Sequence, residues 1–274
     1  MLVPGPERAV AWTANIWRTV ERIPIASIGD GAKKLRAIQR NWALYSTGHH
    51  RRAALIAERL PKVSAKPLVF GAPVPAAPLG SWTLIAPDTI LAAAACSSPF
   101  PHGEARFVED KTGPPNRAYL KLWEALTLIG RMPGPGETCI DLGASPGGWT
   151  WVLQGLGARV IAVDKAPLDP RIATLPGVEI RQDSAFALDP RTMPRLDWLF
   201  CDVICYPERL LGLIERWQKA GKVRNYVCTI KFQGASDGAV QARFAAMTGS
   251  RLMHLHHNKH ELTWVCLDQE QGAS

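Results

Sequence analysis

The chain has no cysteine pair spaced as C-x-x-C. Its six cysteines (Cys96, Cys139, Cys201, Cys205, Cys228, Cys266) lie far apart, mostly inside apolar runs. That spacing supports neither a structural zinc site nor a disulfide framework, so the thiols are expected to be small buried hydrophobes of a reducing cytoplasm. No apolar run approaches the ~20 residues needed to cross a bilayer. The opening MLVPGPERAVAW lacks the charged start and continuous apolar stretch of a signal peptide. A cytoplasmic protein without membrane contact is the expectation. His254, His256, His257 and His260 crowd together near the C-terminus, but no Cys or carboxylate set completes a ligand group, so no metal is expected. Internal repeats are also missing.

Acidic residues are in short supply. There are 24 Asp and Glu against 32 Lys and Arg, a formal net charge of +8. The excess is uneven: between residues 33 and 66 nine bases face a single acid, Glu58. Clustered positive charge suits a polyanion, because neutralising phosphates releases condensed counterions. The expected phosphate-contacting residues are Lys33, Lys34, Arg36, Arg40, Arg51 and Arg52.

With 274 residues, 47% of them hydrophobic and 20% charged, the chain is long enough for two globular domains. The N-terminal 27 residues suggest a strand or two. A helix is expected from Asp30, which can cap its first turn, with Ala32, Leu35, Ile38 and Trp42 as its apolar stripe. A second is expected over residues 51–60 on Leu55, Ile56 and Leu60. Strand-like runs follow at 67–70, 82–86 and 90–95. Residues 1–100 therefore read as a smaller basic α/β module, and the Pro- and Gly-rich stretch 101–117 as a linker. From 118 to 274 the order is helix 118–129, strand 138–142, helix 147–154, then strands at 160–163, 178–180 and 198–201. Helix 207–220, strand 226–230, helix 239–247 and strands 251–256 and 262–267 complete it. Alternating strands and helices predict a mostly parallel, Rossmann-like sheet covered on both faces, with an antiparallel last strand.

The sharpest local signal is Asp141-Leu142-Gly143-Ala144-Ser145-Pro146-Gly147-Gly148-Trp149. A strand running into glycines and then a helix lets backbone approach a ligand closely. The dinucleotide spacing G-x-G-x-x-G is not met, and no Lys-Ser/Thr follows to grip phosphate. A cofactor without phosphates fits better. S-adenosylmethionine needs acceptors for an ammonium group and ribose hydroxyls, and Asp164, ending RVIAVD, could take the hydroxyls. Asp183 could accept from an adenine amino group. The expected cofactor residues are Asp141, Gly143, Ser145, Pro146, Gly147, Gly148, Trp149, Asp164, Asp183 and Asp202.

DLGASPGGW resembles the signature of the FtsJ/RrmJ-type ribose 2′-O-methyltransferases, most closely their bacterial RlmM branch. SPFPHG, NRAYLKLWEA, AVDKAP, DWLFCDV, VCTIKF and HELTWV extend the similarity from about Ser97 to Leu267. The resemblance implies a class I methyltransferase fold and methyl transfer from S-adenosylmethionine to an RNA ribose, a cytidine of 23S rRNA in the RlmM branch. It also implies a Lys-Asp-Lys-Glu tetrad at Lys121, Asp202, Lys231 and Glu261; of these, Lys231, at the end of an apolar strand, is the expected proton acceptor. Longer members carry a THUMP domain, and the basic module could be a reduced version of one. The alternatives are another RNA acceptor, such as tRNA or a cap, or an inactive RNA-binding protein that keeps the fold. The nucleotide modified and the oligomeric state are not legible.

Overall fold

The computed structural model describes residues 10–232 and 238–268. The outermost parts of the two expected domains, 1–9 and 269–274, lie outside the described residues. The chain divides into two compact units, Met1–Val108 and Glu109–Ser274. The boundary falls inside the stretch read as a linker. Gly103, Ala105 and Phe107 are buried in the first unit, while Asp110 accepts backbone hydrogen bonds from Thr112 and Gly113 in the second.

The first unit runs β1 (Trp17–Arg18), β2 (Glu21–Pro24), α1 (Ile28–Ile38), β3 (Trp42–Leu44), α2 (His50–Ala57), β4 (Gly80–Ala86), β5 (Thr89–Ala93) and β6 (Ala95–Cys96). Its main sheet has the order β2-β5-β4-β3, parallel only between β3 and β4. β1 and β6 form a separate antiparallel pair. The core joins Ala32 and Leu35 of α1, Ala53 and Ile56 of α2, and Trp82, Leu84 and Ile90 of the sheet.

Four local expectations are corrected by the structure. The cap of α1 is Ser27, whose hydroxyl accepts from the Asp30 amide, while the Asp30 carboxylate reaches back to the Ala26 amide. Two side chains share the orphan N–H groups, as in a capping box. Trp42 does not continue the helical stripe. The helix ends at Ile38, Trp42 starts β3, and its indole N–H donates to the carbonyls of Leu35 and Gln39 at the end of the helix, at 2.9 and 3.0 Å. On α2, Ala53 and Ile56 face the core, whereas Leu55 is 38% exposed. Of the run at 67–70, only Leu68 pairs, in an isolated bridge to Phe107.

The second unit is a seven-stranded sheet with helices between its strands. In chain order these are α3 (Tyr119–Ile129), β7 (Thr138–Leu142), α4 (Gly148–Gly155), β8 (Arg159–Asp164), α5 (Pro170–Ala173), β9 (Val178–Gln182) and β10 (Leu196–Cys201). α6 (Pro207–Ala220), β11 (Val223–Lys231), α7 (Gly238–Ala246), β12 (Ser250–Met253) and β13 (Glu261–Cys266) follow. The strand order is β12-β13-β11-β10-β7-β8-β9. The five strands from β7 to β11 are parallel, and β13 runs antiparallel to both β11 and β12. The mostly parallel sheet with an antiparallel last strand is borne out.

Central strands such as LDWLFC and YVCTI are apolar almost throughout because both faces are covered. β9, at one edge, is the exposed strand and carries Glu179 and Arg181, charges that discourage pairing with a stray strand. α6 buries Leu210, Leu211, Leu213, Ile214 and Trp217 along one face, and Pro207 starts it where no N–H is required. Five of the six cysteines are buried, and Cys96 is half-buried on β6. Among the described residues, no helix is long and apolar enough to cross a membrane.

Ile56 is fully buried between α2 and the sheet of the first unit. Ile56→Ala should destabilise that unit by about 2–5 kcal/mol, the range for a large-to-small core truncation. Urea unfolding followed by tryptophan fluorescence measures the loss, since Trp42 and Trp82 share this core.

Candidate functional site

Because β7 to β11 are parallel, their carboxyl ends lie along one edge of the sheet. The chain leaves those ends at Gly143, Asp164, Asp183, Asp202 and Lys231. The order reverses at β7, whose neighbours are β8 on one side and β10 on the other. Such a switch point leaves a crevice in open α/β sheets. A cavity of about 480 Å³ opens there, lined by Gly143, Ser145, Gly148, Trp149, Asp164 and Asp183 among others, with Asp202 and Lys231 in its wall. That volume is within the range of about 300–1,000 Å³ typical of small-molecule sites.

The loop after β7 depends on glycine at two positions. Gly143 has φ +81°, and a Cβ there would come within 2.7 Å of Val203 Cγ2 and 3.1 Å of the Val203 backbone. Gly147 has φ +117°, and a Cβ would meet Ile172 Cγ2 at 2.7 Å. Both conformations are costly for residues with a side chain. The Ser145–Pro146 peptide between them is cis. Asp164 holds the loop from the next strand, accepting from the amides of Ser145 and Ala166, each at 3.0 Å. Trp149 is buried, with its indole N–H on the Ala118 carbonyl at 3.0 Å.

Three residues expected to touch a cofactor do not line the cavity. Asp141 is buried beneath the loop, accepting from the Thr150 hydroxyl at 2.7 Å. Pro146 offers its carbonyl to the Asp169 amide, and Gly147 backs onto Ile172. They shape the turn from behind. Lining residues that sequence reasoning missed include Asn116, Lys165, Phe186, Ile204 and Arg209. The Arg209 guanidinium sits 4.0 Å above the Phe186 ring centroid.

The four residues Lys121, Asp202, Lys231 and Glu261 meet at one point. Lys121 Nζ lies 3.1 Å from Asp202 Oδ1 and 3.1 Å from Glu261 Oε2. Lys231 Nζ lies 3.1 Å from Asp202 Oδ1 and donates to the Asp202 carbonyl at 2.7 Å. All four side chains are between 13% and 19% exposed. Lys231 and Glu261 are directly opposed in the antiparallel β11–β13 register. Burial alone would lower the Lys121 pKa, but the Asp202 and Glu261 charges and their hydrogen bonds outweigh it and hold the ammonium form above the usual lysine range.

Lys121 is fixed by its helix. Tyr119 and Trp123 pack edge-on at 4.7 Å, and both rings contact Trp151 of α4. One turn beyond Lys121 is the fully buried Glu124, which sequence reasoning passed over. Its carboxylate accepts the amides of His256 and His257 at 2.7 and 3.0 Å, and His257 Nδ1 lies 2.6 Å from Oε2. The same helix therefore binds Glu261 directly and ties down the loop that leads into it. Two of the four C-terminal histidines, His256 and His257, are used in this way, and among the described residues no group of three His, Cys, Asp or Glu is placed to hold a metal ion.

In the first unit, a cavity of about 740 Å³ is lined by Arg40, Lys62, Lys66, His102, and Arg106 paired with Glu104 at 2.6 Å, together with apolar residues. Of the six bases expected to contact phosphate, only Arg40 borders it. Lys33, Arg36 and Arg51 are exposed elsewhere, Arg52 is half-buried, and Lys34 is engaged with Asp30 at 3.0 Å and the Pro24 carbonyl at 2.7 Å.

Residues 114–211 match the family model of FtsJ-like methyltransferases. A ribosomal RNA large subunit methyltransferase M from Halorhodospira halophila is 38% identical over 157 residues, covering 54% of this chain and 46% of that protein. The protein of the same name from Alkalilimnicola ehrlichii is 33% identical over 196 residues, covering 67% and 54%. That from Methylococcus capsulatus is 34% identical over 182 residues, covering 61% and 51%. The chain spans about half the length of the curated relatives it matches. The resemblance read from DLGASPGGW is borne out over this region.

Two predictions arise from the buried acids. Burial pushes the Asp141 carboxyl from 3.8 up to about 7, partly offset by the Thr150 hydrogen bond. A folded pKa above the unfolded one gives stability that is complete below about pH 4 and is lost as pH rises through about 7, on the order of 4 kcal/mol in all. Asp141→Asn should flatten that slope in urea unfolding measured from pH 4 to 8. Glu124→Gln sets an amide NH₂ against donors, so it should cost about 1–3 kcal/mol and speed hydrogen exchange at the amides of residues 256 and 257.

Proposed function

We propose that the second unit transfers a methyl group from S-adenosylmethionine to a ribose 2′-hydroxyl of RNA, with large-subunit ribosomal RNA as the substrate. The observation that carries this reading is the meeting of Lys121, Asp202, Lys231 and Glu261, two of them in the wall of the cavity at the sheet's switch point. The relatives named ribosomal RNA large subunit methyltransferase M support the choice of substrate.

The cavity suits a donor that carries no phosphates. Its loop has no lysine gripping from below, and strand-end carboxylates at Asp164 and Asp183 face it where hydroxyl and amino groups need acceptors. A Cβ at Gly148 would run into Asn116 Oδ1, so backbone and a side-chain amide form a close wall on that side. S-adenosylmethionine, when bound, supplies a methyl group already activated on a sulfonium.

The protein's own task is then orientation and the fate of one proton. A ribose hydroxyl gives up its proton as it becomes a nucleophile, so a neutral base within hydrogen-bond reach favours reaction. Of the two amines, Lys121 faces two carboxylates and is kept as an ammonium, while Lys231 has only its share of Asp202. Lys231 is the proton acceptor in this reading. Asp202 aims it through both a carboxylate oxygen and its own carbonyl. Lys121 and Glu261, which do not line the cavity, hold Asp202 in place.

The basic first unit supplies RNA affinity, with Arg40, Lys62 and Lys66 of the groove on the phosphate backbone. Such contacts position RNA without reading its sequence.

The test is methyl transfer from tritium-labelled S-adenosylmethionine to unmodified 23S rRNA made by transcription, followed by digestion to nucleosides. Label in a 2′-O-methylnucleoside is the expected result; label confined to a base, or none, overturns the assignment. Lys231→Ala should lower kcat by about 10²-fold or more, as loss of a general base does. Calorimetry should show S-adenosylmethionine still binding to that variant, and near-normal turnover would remove Lys231 from the mechanism.

A further inference from the structure

Beyond Asp202 the chain runs Val203-Ile204-Cys205-Tyr206 before α6 begins at Pro207. This short loop is anchored on its inner side. The Val203 backbone lies against Gly143, Cys205 is buried in the core, and Pro207 is buried as well. Its outward side chains are treated in the opposite way. Ile204 is 79% exposed, the most exposed large hydrophobic side chain among the described residues, and Tyr206 is 62% exposed.

Single exposed apolar side chains are ordinary on protein surfaces. What sets these two apart is their place. Ile204 lines the same cavity wall as Asp202 and Lys231. Tyr206 is four residues from Asp202, hence at most roughly 14 Å away along the chain. It does not line the cavity, its side chain does not cap α6, and among the described residues it has neither a ring stack nor a side-chain hydrogen bond. An aliphatic and an aromatic side chain are thus held out on one anchored loop, the first of them in the cavity lining with the amine that would receive the proton.

We infer that Ile204 and Tyr206 form the platform on which the base of the acceptor nucleotide rests. The inference builds on the proposed ribose methylation. In a nucleotide the base is attached to the carbon next to the one bearing the 2′-hydroxyl. A ribose presented to Lys231 therefore carries its base within a few ångströms, onto whatever surface borders the site. Sequence-selective recognition of RNA uses unstacked bases laid on aromatic side chains. The platform holds the ribose by gripping the base, so Tyr206 is a positioning residue that takes no part in proton transfer.

Steady-state kinetics on the full chain with unmodified 23S rRNA transcript test this. Tyr206→Ala should raise KM for RNA about tenfold, in keeping with the loss of one base–aromatic stack, and change kcat far less. Tyr206→Phe should restore the wild-type KM, and Tyr206→Leu, which keeps bulk without a ring, should fall between. S-adenosylmethionine affinity by calorimetry should be the same in all four proteins. The slope of log KM against log salt should also be unchanged, because stacking releases no counterions. A wild-type KM in Tyr206→Ala, or a loss that Tyr206→Phe does not restore, overturns the platform while leaving the methylation reading intact. An altered salt slope would instead make Tyr206 a backbone contact and overturn it equally. Absence of any methyl transfer by the wild-type chain defeats the parent reading and the platform with it.

Discussion

The Asp202 carboxylate stands between two lysine amines, both within about 3 Å, and much of the second unit is arranged around that contact. Two ammonium groups sharing one carboxylate would repel each other without a second negative charge, which Glu261 provides on the far side of Lys121. With both amines protonated the four charges sum to zero, and all four side chains are mostly buried. Partly buried ions are tolerated only when paired and hydrogen-bonded, so losing any one of them leaves an uncompensated neighbour. The four come from α3, the end of β10, the end of β11 and the start of β13, and only the completed sheet joins them. The antiparallel last strand is essential here. It turns Glu261 back toward the carboxyl edge and sets it opposite Lys231 in the strand register, with its carboxylate on Lys121.

Holding that geometry falls to α3. Nearly every residue in YLKLWEALT is buried, and aromatic packing of Tyr119 and Trp123 against Trp151 fixes the helix's rotation. With the rotation fixed, Lys121 and Glu124, three apart, lie on nearby faces and act on the same C-terminal segment. Lys121 takes the Glu261 side chain, and Glu124 takes the backbone of the loop before it. A fully buried carboxylate is costly unless its lone pairs are used, and here each oxygen accepts at least one N–H. The clamp and the charge cluster are two ends of one device, set on a rigid element.

Apart from the four-residue α5, which has no apolar period of its own, the strands and helices of the second unit were legible in the sequence because period and punctuation agree there. α6 begins at its proline and ends where its apolar stripe stops, and β7 runs straight into the glycines. The first unit was less legible. Trp42 fits a helical stripe by spacing, but its indole N–H can satisfy the end of α1 only from outside the helix, a tertiary choice that periodicity does not contain. Ser27 and Asp30 both look like caps; which one is the cap depends on where the chain enters. At the site, the resemblance to FtsJ-type proteins marked the four charged residues and the loop, and the structure brings those four together. Motif matching could not separate Gly143, which faces the cavity, from Asp141 and Gly147, which support it from behind. Glu124 had a signal that went unused: a lone acid in an otherwise apolar helix needs a partner. Ile204 and Tyr206 had none, since exposure is not written in residue type.

In the proposed reaction, affinity and selection draw on different chemistry. Cations such as Arg40, Lys62 and Lys66 attract any phosphate chain, and that attraction weakens as salt rises, whatever the sequence bound. Choice of a nucleotide must come from groups that touch its base, and such groups must lie close to the reacting hydroxyl. The only part of the second unit that combines exposed apolar surface with that position is the loop after Asp202, among the described residues. Its anchoring explains how it can serve. Gly143, required by the turn over the cavity, also lets the Val203 backbone approach, and buried Cys205 fixes the loop at its middle. One close backbone contact thus couples the turn at the cavity to the loop of Ile204 and Tyr206, so in the proposed reaction the residue that opens room for a donor also sets the height of the surface on which an acceptor would lie.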